Sequence, residues 1–395
     1  MSRQPIFDCQ RQVFAYDLLF YPAAAAQADR VQDFQATAQG LLQTFLEIGL
    51  EAVVGTQRAF LPLTRGFLLF GYASVFPADR VVLELSMGTP VDADLLEVLH
   101  ALAAQGYTIA LGDFTCHDSP PALVTLADIV KIDIQALDRS TVEKYVALLQ
   151  PCEVTLLATK VATPEEFTYC KDLGFTYFQG PFCCQPDVVT GQRSPTNRLA
   201  LLHLLGALQD PEVDFDTLET LISQDVSLSY KVLRLINSAF FGLKKNVTSI
   251  RQALLLLGLK FITTWTSLLV LSGLNDKPHE LLTTALVRAK MCEGLAQAMG
   301  RDDTDSFFLV GLFSVLDALL DQPMPEILQA LPLAADPMQA LLHGQGVLGS
   351  ILHSVVAYEQ GNWEEITWPD VDHRAVMDAY LVAIAWATDI SNTLD

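Results

Sequence analysis

The sequence predicts two domains, an N-terminal (β/α) barrel of the TIM type followed by an all-α bundle. Three observations predict this division. The 395 residues are too many for one ordinary domain and enough for two with cores of their own. Short strand-like runs alternate with helical ones through the first half, the pattern of βα units around a mainly parallel sheet. Beyond the polar, breaker-containing stretch Thr190-Gly191-Gln192-Arg193-Ser194-Pro195, strand-like alternation stops and apolar residues recur at helical spacing. The expected boundaries are therefore a barrel over 1–189, a linker over 190–196 and a helical domain over 197–395.

Seven strands are predicted in order: Val13 to Phe20, Ala59 to Leu63, Val81 to Leu85, Thr108 to Leu111, Ile129 to Ile132, Val154 to Leu157 and Tyr177 to Phe178. Each is short and rich in β-branched, leucine or aromatic residues, the composition that suits a buried pleated surface. The amphipathic segments Leu41 to Ile48, Leu95 to Leu102, Val142 to Leu149 and Glu165 to Leu173 are the predicted helices between them. In the second half the apolar sets Leu201, Leu204, Leu205 and Leu208, then Leu218, Leu221 and Ile222, then Val232, Leu235 and Ile236 mark successive helices. Asp216, Ser249 and Asp305 are the predicted helix starts. Ala253 to Leu274 carries a single charge, Lys260, and raises the question of a membrane span. Gly258, Lys260 and a cluster of threonines and a serine interrupt it, so two buried helices are expected instead.

Composition narrows the function classes. The net charge of −22 argues against non-specific attraction to nucleic acid or to an anionic membrane. It is evenly spread, with 12 basic and 22 acidic residues before residue 195 and 12 and 24 after it. Seven cysteines without CxxC spacing suit a reducing compartment, and the N-terminal residues lack the apolar core of a signal peptide. A cytoplasmic location without membrane insertion is expected. No cofactor is expected, and the scattered histidines offer no metal-ligand spacing.

In a (β/α) barrel chemistry gathers at the C-terminal ends of the strands. The residues ending the predicted strands are Asp17, Pro62, Glu84, Asp113, Asp133, Thr159 and Gln179. These motifs resemble, in order, those of the EAL family of cyclic-di-GMP phosphodiesterases. Arg3-Gln4-Pro5-Ile6-Phe7 and Tyr16-Asp17-Leu18-Leu19-Phe20 are similar to the family's opening, with Asp17 where the name-giving Glu stands. Val82-Leu83-Glu84-Leu85, Gly112-Asp113-Phe114, Lys131-Ile132-Asp133 and Phe178-Gln179-Gly180 resemble the later motifs. The resemblance implies a barrel with two divalent cations held by carboxylates and an Asn. Here that set is broken. Pro62 replaces the Asn, Gly112 the first Asp of the pair, Thr159 the sixth-strand Glu and Ala162 a later Glu. Asp17, Pro62, Glu84, Gly112, Asp113, Lys131, Asp133, Thr159 and Gln179 are thus read as vestigial positions, with Lys131 neutralising Glu84 or Asp113.

The second half resembles the HDOD domain, a degenerate relative of the HD phosphohydrolases. The residues that carry this are Leu233-Arg234-Leu235-Ile236-Asn237-Ser238, Phe240-Phe241-Gly242, Thr248-Ser249-Ile250, Ala253 and Leu257-Gly258. Where HD enzymes place a metal-binding His-Asp pair, Gly311-Leu312-Phe313 is followed by Ser314 and Val315. One charge anomaly overlaps this signature. From Val226 to Asn275 no acidic residue occurs, while Lys231, Arg234, Lys244, Lys245, Arg251 and Lys260 are basic, a candidate patch for an acidic partner.

The leading expectation is a non-enzymatic signalling protein that binds protein partners of unknown identity, with cyclic-di-GMP not favoured as a ligand. Two other readings stay open. One is a cyclic-di-GMP sensor that binds through Lys131 and Gln179. The other is a weak metal-dependent phosphodiesterase rebuilt from Asp17, Glu84 and Asp113.

Overall fold

A computed structural model describes residues 1–20, 49–115, 122–186, 204–210, 212–224, 226–237, 247–272, 277–366 and 373–394. The chain divides into two compact units, Met1–Cys183 with Tyr358–Trp363, and Cys184–Ala357 with Glu364–Asp395. The predicted linker over 190–196 and the predicted helix Leu41 to Ile48 lie outside the described residues.

The first unit is a closed barrel of eight strands in sequential order. They are β1 (Ser2–Phe7), β2 (Val13–Leu19), β3 (Arg58–Pro62), β4 (Val81–Ser86), β5 (Thr108–Gly112), β6 (Ile129–Asp133), β7 (Thr155–Thr159) and β8 (Tyr177–Gln179). Neighbours from β2 to β8 pair in parallel, whereas β1 runs antiparallel to both β2 and β8 and closes the cylinder. Seven strands were expected; β1 is the eighth. Its Arg3, Gln4 and Pro5 hide the apolar alternation that marks the others.

Side chains alternate across each strand, so one set points into the barrel. Ile6, Ala15, Phe60, Val82, Ala110, Ile129 and Leu157 form a buried layer with Tyr177 packed against it, one residue from each strand. Moving two positions along each strand reaches the next inward layer: Gln4, Asp17, Pro62, Glu84, Gly112, Lys131, Thr159 and Gln179. Gln4 precedes its core residue because β1 runs the other way. Asp92, Asp138 and Thr163 cap the helices Ala93–Ala104, Arg139–Leu149 and Pro164–Asp172 by accepting from Leu95, Thr141 and Glu166 N–H groups.

The second unit is helical. Ser249 caps Ile250–Leu257 by accepting from Gln252 N–H, as its residue type predicts. Helix Phe215–Gln224 begins one residue before Asp216, with Asp214 accepting from Thr217 N–H. Thr304–Phe313 likewise begins just before Asp305. Asn237 explains part of the HDOD signature: its amide donates to Val247 O at 2.8 Å and accepts from Val247 N at 2.7 Å, pinning the chain ahead of Ile250–Leu257. The run suspected of spanning a membrane is two helices, Ile250–Leu257 and Leu259–Ser272, broken at Gly258 with φ 86°. Among the described residues one stretch, Ala335–Gln360, is long and apolar enough to cross a membrane by length and composition alone.

Helix His279–Ala298 packs against Thr304–Phe313 and against His373–Leu394. Gly311 permits the first contact. A Cβ there would lie 2.6 Å from the backbone of Ala289, so only glycine allows this approach.

Candidate functional site

All nine barrel positions singled out in the sequence line one cavity of about 760 Å³ at the C-terminal ends of the strands. It also takes in Gln4, Ser86 and Lys160, which were not among the candidate site positions, and Gln360 to Trp363.

The floor of the cavity is a charge cluster. Lys131 Nζ donates to Asp17 Oδ2 at 2.6 Å and to Glu84 Oε2 at 2.7 Å, and lies 5.4 Å from the centre of the Phe60 ring. The expected partners were Glu84 or Asp113; the structure pairs Lys131 with Glu84 and Asp17. Period-2 alternation places these three side chains on strands β2, β4 and β6 inside the barrel. Burial pushes the Glu84 carboxyl up to about 7; Lys131 counteracts this, while Asp17 and Asp113 add to the rise. The Lys131 ammonium is held well above the ordinary lysine range, because the attraction of Asp17 and Glu84 outweighs its desolvation. Gln179 Nε2 donates to Asp17 Oδ2 at 3.0 Å and to Gln4 Oε1 at 2.7 Å, leaving its own buried amide oxygen without a hydrogen-bond partner.

Two glycines shape this floor. A Cβ on Gly112 would stand 2.6 Å from Glu84 Oε1, so the missing side chain at 112 is what lets Glu84 lean across. Gly180 has φ 150° and a Cβ there would meet Val161 O at 2.2 Å, which accounts physically for a glycine after Gln179.

Around the rim, Asp113 adopts φ 54° and accepts from Ser86 Oγ at 3.2 Å. Asp133 accepts from the Gln135 and Ala136 N–H groups and pairs with Lys160 at 2.7 Å. These bonds hold its carboxyl below the usual range against partial burial. Thr159 Oγ1 donates to Ile132 O at 3.3 Å, and Pro62 offers no donor or acceptor side chain.

Among the described residues the lining thus holds four carboxylates against two ammonium groups, with an unpartnered amide oxygen beneath. Among the same residues no three acidic, histidine or cysteine side chains converge as metal ligands. A pair of cations held in an all-protein cage does not fit. A single divalent cation does, since magnesium-like ions keep most of their waters and need one or two carboxylates plus a ligand phosphate.

The corresponding place in the helical unit is different. Arg288 Nη1 donates to Ser314 Oγ at 3.3 Å, and Ser314 Oγ donates to Gly311 O at 2.7 Å. Val315 is fully buried, and burial raises the Asp317 carboxyl despite nearby Arg288. Of the basic residues in the acid-free stretch, Arg251 is already paired with Asp216 at 3.0 Å and Glu219 at 2.8 Å. Lys231 is half-buried and Arg234 exposed. Lys244 and Lys245, and the side chain of Lys260, lie outside what the structure describes.

The EAL domain family matches residues 66–186 and the HDOD domain family residues 195–336. An uncharacterised Bacillus subtilis protein, YuxH, is 30% identical over 99% of this chain and 98% of its own length. A Vibrio cholerae protein named cyclic di-GMP phosphodiesterase CdgJ is 30% identical over 100% of this chain and 93% of its own. Among solved structures, the Bacillus subtilis EAL-domain protein YkuI, in complex with c-di-GMP and calcium, is 19% identical over 64% of this chain and 70% of its own, with a TM-score of 0.38. The chain belongs to the family that joins an EAL domain to an HDOD domain. One expectation is overturned: a non-enzymatic role was read from the missing ligands, yet a relative alike over the full length is named a phosphodiesterase.

Proposed function

We propose that this chain acts on cyclic di-GMP at the barrel mouth, as a slow phosphodiesterase assisted by a divalent cation. The observation that carries the reading is the Asp17–Lys131–Glu84 cluster on the floor of a cavity large enough for a dinucleotide. The name and full-length likeness of the Vibrio cholerae relative support the choice of substrate.

Two phosphates cannot enter a lining with excess carboxylate unless positive charge meets them. Lys131 supplies one such charge, fixed in place by two ion pairs. Asp113 and Glu84, close enough to influence each other, are the residues that would hold a cation, in place of the metal-free mouth the sequence led us to expect. When bound, that cation would neutralise phosphate charge and lower the pKa of a coordinated water. Glu84 must lose its proton to serve, so activity rises as pH passes through about 7. Gln179, steadied by Gln4, holds Asp17 in place, and Gly112 leaves Glu84 the room to lean onto Lys131.

The test is incubation of the purified chain with cyclic di-GMP in manganese or magnesium, with a chelator control, and chromatography for the opened linear dinucleotide. Slow, metal-dependent opening is expected, and Lys131→Ala and Asp113→Asn should abolish it. Absence of both product and binding with enzyme in excess over nucleotide would sink the reading.

A further inference from the structure

The barrel unit contains six residues from far along the chain, Tyr358–Trp363, and four of them line the mouth. They are anchored at several points. Tyr358 OH donates to Met1 O at 2.8 Å, and Gln4 Nε2 donates to Gln360 O at 2.9 Å. Gly361, at φ 72°, turns the chain out of helix Gly346–Gln360, and a Cβ there would strike Leu19 Cδ1 at 2.7 Å. Trp363 follows two residues later and is half-buried, its ring set edge-on to Tyr358 at 5.2 Å and 85°. The same Gln4 that steadies Gln179 therefore also holds the segment that carries Trp363.

From this we infer that Trp363 is a base-recognition residue: its indole is the stacking platform for a guanine of the dinucleotide whose phosphate faces Lys131. The inference rests on the proposed action on cyclic di-GMP. Among the described lining residues only Phe20 and Trp363 are aromatic; the others are carboxylates, amides, ammonium groups, hydroxyls, small side chains and a few aliphatic ones such as Leu19 and Leu63. Such a surface addresses phosphates and hydroxyls and offers a base aliphatic edges but few flat partners. An indole held at the rim supplies one, since every base has a π-face. The segment is fixed at the Gln360 carbonyl and the Tyr358 hydroxyl, so the platform stands ready before the ligand arrives, which lowers the ordering cost of binding. A consequence is that the EAL-matching residues 66–186 alone lack a part of the nucleotide site, which the chain beyond residue 357 provides.

The experiment compares full-length wild type, Trp363→Leu and Trp363→Phe by calorimetric titration with cyclic di-GMP in magnesium, with ligand-induced tryptophan quenching as a second readout. Leu keeps apolar bulk but removes the π-face, and Phe keeps a smaller one. Trp363→Leu should weaken binding about 10-fold or more, Trp363→Phe should recover most of it, and quenching should vanish in both. Equal affinity for the Leu and Phe variants, or unchanged quenching in either, overturns the platform while leaving the proposed substrate intact. A wild type that neither binds nor opens cyclic di-GMP overturns both. Melting temperatures of the three proteins, expected to agree, assign any lost affinity to the ring rather than to the fold.

Discussion

At the barrel mouth a lysine ammonium lies between two carboxylates beneath a large cavity, whereas in the helical unit the Arg288 guanidinium lies against a serine hydroxyl on closely packed helices. Both places correspond to metal centres in the families the sequence resembles. They differ in what surrounds them. Inward side chains at the ends of barrel strands face an open mouth, so their charges remain reachable by a ligand. Gly311 instead brings one helix onto the backbone of its neighbour.

The contrast is most sharply tested at Lys131. Lys131→Met leaves Asp17 and Glu84 buried without a counter-ion, and breaking a buried pair in this way costs about 3–5 kcal/mol. The expected outcome is a large fall in urea resistance, with hydrogen exchange accelerating first in β2, β4 and β6. An unchanged denaturation midpoint would mean that the cluster is solvated. In the helical unit, Gly311→Ala forces helices apart and should cost about 1–3 kcal/mol. Nucleotide binding at the mouth is expected to survive it.

The next largest effect is expected in a pH titration. The Glu84 carboxyl titrates at about 7 in the folded protein, above its ordinary value of 4.5, so the native state binds the proton more tightly than the unfolded chain. Its contribution to stability is therefore full below about 4.5 and declines as pH rises through about 7. Comparing denaturation midpoints of wild type and Glu84→Gln across this window should show a decline in the first that is absent in the second. Gly112→Ala, by displacing the Glu84 oxygen, should move the upper end of the window with little loss of fold.

The smallest effects are expected in the helical unit. Ser314→Ala removes two partly buried hydrogen bonds, one from Arg288 and one to Gly311 O, and should cost about 1–2 kcal/mol, with no change in cyclic di-GMP binding. Arg251→Ala, at an exposed pair, should leave the melting temperature where it is.

Much of the site is legible in the sequence. The strand-end residues can be read in order because alternation along a strand has a fixed period, so Asp17, Glu84, Lys131 and Gln179 can all be placed at one rim. Gln4 escapes because β1 runs antiparallel, putting its mouth residue before the core residue rather than after it, and Pro5 masks the strand itself. Nothing in the linear pattern points to Trp363. The glycine that releases it from its helix is visible as a turn signal, but a turn signal carries no destination.

By itself the sequence determined the succession of a strand-and-helix half and a helical half, the layer of residues facing the barrel mouth, and the family to which the chain is similar. These follow from local periodicity and motif order, which a linear pattern can carry. Tertiary structure alone decided that Lys131 takes Asp17 as well as Glu84, that Gly112 makes room for that arrangement, and that residues some 340 positions beyond Asp17 complete the cavity. Those outcomes depend on distances of a few ångströms between segments remote in the chain, set by closure of the barrel and by the turn at Gly361.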